Sequence, residues 1–254
     1  MPNFFQVIIL GIVEGITEFL PISSTAHLIL TADILKLTQT EFLKSFEIII
    51  QFGAILAVVV LYWKTLWKME VIKKLVVAFI PTGILGLVFY KIIKTYLLGS
   101  VSVVLWTMFL GGIFLIIFEK WHTEKESALE DISNISYKQC LYIGLFQSIA
   151  MIPGVSRSAA TILGGLALGL KRKIIVEFSF LLAVPTMLAA TGLDLMKNYK
   201  SFSLSESHLL AVGFLVSFVM AILGIKFLLS YIQKRTFTAF GFYRILVSIL
   251  FWLK

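Results

Sequence analysis

Apolar runs of membrane-crossing length alternate with short polar segments along almost the whole chain. Crossing a hydrocarbon core about 30 Å thick takes roughly 17 to 25 residues at helical rise. Residues 42–63, 101–118, 174–193 and 208–232 meet that length or come close to it. Residues 75–90 form a shorter stretch containing Pro81, and 236–253 contain Gly241 and Arg244, so these two are expected as less regular spans. The remaining apolar residues fall into two broken pairs, 4–20 with 26–35 and 140–152 with 159–170. In each pair a proline and a hydroxyl-rich turn separate the arms, and the second arm is too short to span. Both pairs are therefore predicted to be re-entrant helix-turn-helix hairpins, whose turns need protein or a water-filled cavity around them.

The two pairs also look like copies of one another. Gly11-x-x-Glu14 aligns with Gly144-x-x-Gln147, Pro21 with Pro153 and Ser24 with Ser156 at a nearly constant offset, and Phe46-Glu47 is echoed by Glu177-Phe178. The chain divides into a first repeat, 1–118, holding hairpin 4–35 and three spans; a linker, 119–138; and a second repeat, 139–254, holding hairpin 140–170 and three spans. Three crossings between the hairpins invert one repeat relative to the other, which brings the broken helices together near the midplane. The expected fold is an all-α polytopic membrane protein: about six transmembrane helices plus two re-entrant helix-turn-helix hairpins in an inverted-topology repeat, as one integral membrane domain.

Composition agrees with this pattern. Of 254 residues 59% are hydrophobic and only 14% charged, far from the balance of a soluble domain. The net charge of +8 sits in short segments between apolar runs, where it reads as a topology signal and a contact for anionic membrane lipids, not as a nucleic-acid surface. Lys and Arg gather at positions 64–74, 120–138, 171–173 and 234–235 more than in the alternate loops, which predicts that those segments are cytoplasmic. Both termini and the mouth of the first hairpin then face outside. The single cysteine, Cys140, excludes an intramolecular disulfide and a cysteine-based metal site.

Against this apolar background the ionisable residues carry the chemistry, because intramembrane charge is costly unless paired, hydrated or metal-bound. Glu14 and Glu18 lie four apart on one helix face, with Gly11 and Gly15 leaving room beside them. Two carboxylates so close repel, and a divalent cation relieves this; oxygen-only ligation favours Mg²⁺ or Ca²⁺. The bland alternative is a pair bonded to backbone or to Arg157. Ser23, Ser24 and Thr25 open the second arm, where hydroxyls either cap the helix or, with its free N–H groups, hold an anion. His27, three residues after Ser24, is expected on the same side, so that hydroxyl and imidazole make a minimal nucleophilic or acid-base pair. In the second hairpin Arg157 offers a fork suited to phosphate oxygens, flanked by Ser156, Ser158 and Thr161. A structural Arg157–Glu18 ion pair is the competing reading. Glu47, Gln51 and Glu177 are expected to tie helices together, and Arg244 and Lys226 to brace helix ends.

The segments Glu14-Gly15-x-Thr17-Glu18-Phe19-Leu20-Pro21-x-Ser23-Ser24-Thr25-x-His27 and Pro153-Gly154-x-Ser156-Arg157-Ser158-x-x-Thr161 resemble the two signature motifs of the undecaprenyl pyrophosphate phosphatase, or bacitracin-resistance, family, and the resemblance runs over essentially the whole chain. One departure is Ala26, where that family usually carries Gly. The resemblance implies hydrolysis of a C55 isoprenyl diphosphate to its monophosphate in the bacterial plasma membrane, recycling the lipid carrier for cell-wall synthesis. It further implies metal and acid-base roles for Glu14 and Glu18, an attacking or proton-handling role for Ser24 or His27, and a grip on the diphosphate by Arg157. The attacking group stays open between Ser24, His27 and water. A transporter or flippase of a lipid phosphate or anion is the alternative, since such proteins are also built from inverted broken-helix repeats. A homodimer is compatible with the chain.

Overall fold

In the computed structural model residues 2–38, 40–93, 97, 100–124, 131–198 and 207–254 are described. Among them every regular element is helical: α1 (Phe4–Thr17), α2 (Ser24–Ile34), α3 (Glu41–Leu61), a single turn α4 (Trp63–Leu66), α5 (Met69–Ile92), α6 (Val101–Trp121), α7 (Tyr137–Ser148), α8 (Arg157–Ala167), α9 (Arg172–Asn198), α10 (Ser207–Tyr231) and α11 (Thr238–Trp252). Five of these, α3, α5, α6, α9 and α10, are long and apolar enough to cross a membrane, while α1 and α11 are shorter apolar helices. The chain is thus a multi-pass membrane protein.

One span differs from expectation. Pro81 does not shorten its helix: α5 runs from Met69 to Ile92 with Pro81 inside, and α9 likewise continues through Pro185. A proline inside a membrane helix is tolerated where neighbouring groups satisfy the freed backbone and polar side chains. Here α7 packs on α5 so closely that a Cβ on Gly144 would stand 3.0 Å from Pro81 Cδ, and Thr82 donates its hydroxyl to Gly144 O at 3.1 Å. Gln147 then spans the two proline-bearing helices, donating to the Thr82 and Thr186 hydroxyls at 2.9 and 3.1 Å.

The hairpins are built alike. Each opens with a capping box, Asn3 with Gln6 and Ser136 with Gln139, so the first free N–H groups are satisfied by side chains. The same two glutamines reach back to the far end of the second arm, Gln6 Nε2 to Leu35 O at 3.4 Å and Gln139 Nε2 to Leu168 O at 3.2 Å. Just beyond, Lys36 and Gly169 occupy matching left-handed positions, at φ of 53° and 80°. Packing is reciprocal as well. Helix α1 lies on α10 and α7 on α5, α3 on α10 and α9 on α5, with α3 against α9 and α6 against α11 closing the set. Each hairpin therefore leans on a span of the other half. Small residues permit the close approach: added Cβ atoms on Gly15 would meet Met220 Cβ at 2.7 Å and Ala221 N at 2.8 Å, and one on Gly11 would meet Gly213 O at 3.0 Å.

The linker begins later than residue 119. Glu119 still belongs to α6; its carboxylate pairs with Arg172 and accepts the Phe237 N–H at 3.0 Å, so it is a buried tie. Lys74, also buried, donates to the carbonyls of Ile132 and Ser133 and anchors the linker's far end to α5. Of the charged residues in the linker and the loops, Lys94, Lys125, Glu126, Glu130 and Lys200 lie outside the described residues.

Candidate active site

The turns of the two hairpins meet. Ser158 donates to Phe19 O at 2.8 Å and Ser156 to Leu20 O at 3.4 Å, so the start of α8 is fastened to the turn between α1 and α2. A third tie comes from α11. Arg244, 1% exposed, donates to Pro21 O at 3.3 Å in one hairpin turn and to Gly154 O at 3.1 Å in the other, and also to Thr107 O and Met108 O of α6. Its partners among these bonds are all carbonyl oxygens, which spread a buried charge over four dipoles.

This convergence places Glu18, Ser24 and Arg157 in one cluster. Glu18 caps α1 in helical geometry, its N–H bonded to Glu14 O at 2.9 Å, so the two glutamates do share a face. One Glu18 oxygen accepts from Arg157 Nη2 at 2.6 Å and the other from Ser24 Oγ at 2.5 Å. Arg157 is held further by Ser179 O at 2.9 Å and lies 5.9 Å from the centre of the Phe19 ring. Glu14 is wholly buried; neither of its oxygens meets a hydrogen-bond donor among the described residues, and the charges it feels are those of Glu18, Glu47 and Arg157.

Ser24 is delivered to Glu18 by an unusual backbone. Ser23, its neighbour and the N-cap of α2, has φ 73° and ψ 97°, a conformation that costs a non-glycine residue about 1–3 kcal/mol. The Ser23 carbonyl accepts from the His27 N–H at 3.2 Å and from His27 Nδ1 at 2.7 Å, and Tyr243 Oη lies 2.8 Å from His27 Nε2.

Several expected roles shift accordingly. His27 does not pair with Ser24, because both of its ring nitrogens are engaged elsewhere and Glu18 occupies the serine hydroxyl. Ser156, Ser158 and Thr161 are not free donors for a phosphate: a hydroxyl has one proton, and theirs go to Leu20 O, Phe19 O and Arg157 O. Ser23 Oγ caps Ala26 N–H, and Thr25 is exposed. The structural Arg157–Glu18 pair is present, and it leaves donors over, since two terminal nitrogens are used and the guanidinium carries five N–H groups. Tyr243 and the central position of Arg244 were missed. For Arg244 the signal was available, an ionisable residue inside the last apolar run; for Tyr243 there was none.

The metal question turns on donors. Among the described residues no group of three or more His, Cys, Asp or Glu is placed to hold a cation. Glu14, with two oxygens lacking donors and Glu18 beside it, nevertheless fits a hard cation of the kind that takes one or two carboxylates and completes its shell with water and substrate phosphate.

Comparison with known proteins places these residues in context. Residues 7–250 match the model of a family described as bacitracin resistance protein BacA. The chain is 52% identical to an undecaprenyl-diphosphatase of Aquifex aeolicus (strain VF5), over 97% of this chain and 96% of that protein. It is 51% identical to one from Sulfurihydrogenibium sp. (strain YO3AOP1), over 98% of each. It is 46% identical to one from Methanococcus aeolicus, over 98% of this chain and 97% of the relative.

Proposed function

The chain belongs to the bacitracin resistance protein BacA family and is an integral membrane undecaprenyl-diphosphatase; on that premise we propose that Ser24 is its nucleophile and Glu18 its general base. The observation that carries this reading is the 2.5 Å contact between Ser24 Oγ and Glu18, beside the Arg157 guanidinium. A serine hydroxyl becomes a useful nucleophile when an adjacent base takes its proton and a third group orients that base, and Glu18 and Arg157 stand in those relations.

The reaction then runs in two balanced steps. Ser24 Oγ attacks the terminal phosphorus in line, its proton passes to Glu18, the bridging P–O bond breaks, and undecaprenyl phosphate leaves. Glu18 hands that proton on to the departing phosphate and is a carboxylate again; water then attacks the phosphoserine, its proton passes to Glu18, and from Glu18 to the Ser24 oxygen as the P–O bond to serine breaks and inorganic phosphate departs. Arg157 offers its remaining N–H donors to the phosphoryl oxygens and neutralises the charge that spreads over them. Mg²⁺ or Ca²⁺, held by Glu14 with a share from Glu18, would supply further neutralisation of the diphosphate. Ser23 and Thr25 contribute the start of α2, whose N-terminal end favours an anion.

We place the two halves as inverted repeats with the pocket and both termini on the outer side. The supports are the matched capping boxes, the reciprocal packing and the concentration of Lys and Arg in alternate loops.

The test is phosphate release from undecaprenyl diphosphate by the purified full chain in detergent. Ser24→Ala should abolish turnover, and Glu18→Gln should lower it by roughly 10²- to 10⁴-fold, the usual worth of a positioned base. Activity within tenfold of the parent in either variant would count against the assignment.

A further inference from the structure

His27 looks at first like a proton carrier for Ser24, but its bonds assign it another task. The Ser23 carbonyl is only an acceptor, so the 2.7 Å contact requires that His27 Nδ1 carries a hydrogen. In the neutral ring Nε2 is then an acceptor, and the Tyr243 hydroxyl, 2.8 Å away, is its donor. The two rings lie nearly parallel, at 5°, with their centres 5.5 Å apart. With both nitrogens committed, His27 has no lone pair directed at Ser24, whose hydroxyl is on Glu18.

What His27 does hold is Ser23. That residue has the left-handed φ of 73°, and its carbonyl receives two donors from the same histidine, the backbone N–H and the ring Nδ1–H. The residue that caps the second arm of the other hairpin, Ser156, has an ordinary φ of −71°; there the left-handed position falls on Gly154, which needs no such support. Ser23 is therefore a strained non-glycine residue directly before the proposed nucleophile, and the ring is its clamp.

We infer that His27 and Tyr243 are positioning residues: Tyr243 anchors the His27 ring through Nε2, His27 Nδ1–H clamps the Ser23 carbonyl in its left-handed conformation, and this sets Ser24 Oγ on Glu18. The inference rests on the reading of Ser24 as nucleophile. It also gives α11 a definite part, since Tyr243 acts on the Ser23 side of the turn while its neighbour Arg244 holds Pro21 on the other.

The experiment compares side chains that keep one or the other ring nitrogen. Asparagine places an amide N–H where Nδ1 stands, and glutamine places one where Nε2 stands; neither is a base. His27→Asn should keep kcat within about fivefold of the parent, whereas His27→Gln and His27→Leu should lose about 30-fold or more in kcat with little change in KM. The limbs of the pH–kcat profile should persist in His27→Asn. Tyr243→Phe, which keeps the ring, should lower kcat roughly three- to tenfold in the parent and add nothing in His27→Asn, where no acceptor reaches the hydroxyl.

Activity in His27→Asn as low as in His27→Leu, a lost limb of its pH profile, or additive effects of the Tyr243→Phe and His27→Asn changes would overturn the inference. A general base in this place would cost about 100-fold or more on conversion to asparagine. Ser24→Ala in the same assay tests the nucleophile separately, because its result does not depend on which His27 variants retain turnover. Should a His27 variant fail to fold, Tyr243→Phe in the parent still decides: an unchanged kcat refutes the anchoring of the ring by Tyr243.

Discussion

Replacing Arg157 by lysine keeps the charge and removes the fork. In the native arrangement Nη2 holds Glu18 at 2.6 Å while Nη1 holds Ser179 O at 2.9 Å. A lysine ammonium cannot span both directions and still face a phosphate. The side chains of Arg157 and Glu18 are only 13% and 8% exposed, so solvent screening does little to soften the loss. One charge-assisted hydrogen bond is worth about 1.5–3 kcal/mol. At about 1.4 kcal/mol per factor of ten, turnover should fall roughly 10- to 150-fold. The assay is phosphate release from undecaprenyl diphosphate at saturating substrate, with a melting curve in the same detergent as a folding control. A lysine variant that folds normally and turns over within about threefold of the parent would refute the claim that the fork matters.

Three other perturbations follow from the packing and the donors. Gly15→Ala pushes a methyl into Ser217 O, Met220 and Ala221 of α10, an overpacking that should cost about 1–3 kcal/mol and lower the melting temperature in detergent. Chelation should depress phosphate release, addition of Mg²⁺ or Ca²⁺ should restore it, and Glu14→Gln should raise the metal concentration needed for half-maximal rate by about tenfold or more, read from a metal titration. Arg244→Met leaves the Pro21, Gly154, Thr107 and Met108 carbonyls without that donor, and at about 1–3 kcal/mol per buried group left unsatisfied it should lower thermal stability markedly, with Arg244→Lys intermediate.

Much of the site was legible because charge is conspicuous among apolar residues. Glu14, Glu18 and Arg157 stand out for that reason alone, and the helical repeat places Glu14 and Glu18 on one face. The broken arms were readable from Pro21 and Pro153, since at both places proline stands with clustered hydroxyls, a combination that favours a turn. What could not be read was the direction of each hydroxyl. Ser24 and Ser158 are both serines at the start of a short helix, yet one faces Glu18 and the other the Phe19 carbonyl, a distinction made only by the meeting of the two turns. The direction of the His27 ring was not readable for a related reason: helical spacing puts it near Ser24, but its Nε2 is bonded to Tyr243, more than two hundred positions away. Pro81 misled in the opposite sense, because α5 continues through it, packed against α7.

Because each hairpin leans on a span of the opposite half, the order of synthesis matters. Helix α1 leaves the ribosome first, but its bed on α10 lies about two hundred residues downstream. At roughly 5–20 residues per second, the nascent first hairpin waits on the order of 10 to 40 s before that bed exists. During this interval Gly11 and Gly15 lack their close contacts with Gly213, Ser217 and Ala221, and the first arm must reside at the translocon or the lipid surface. A chain cut before residue 207 would insert several helices and still never assemble a working centre.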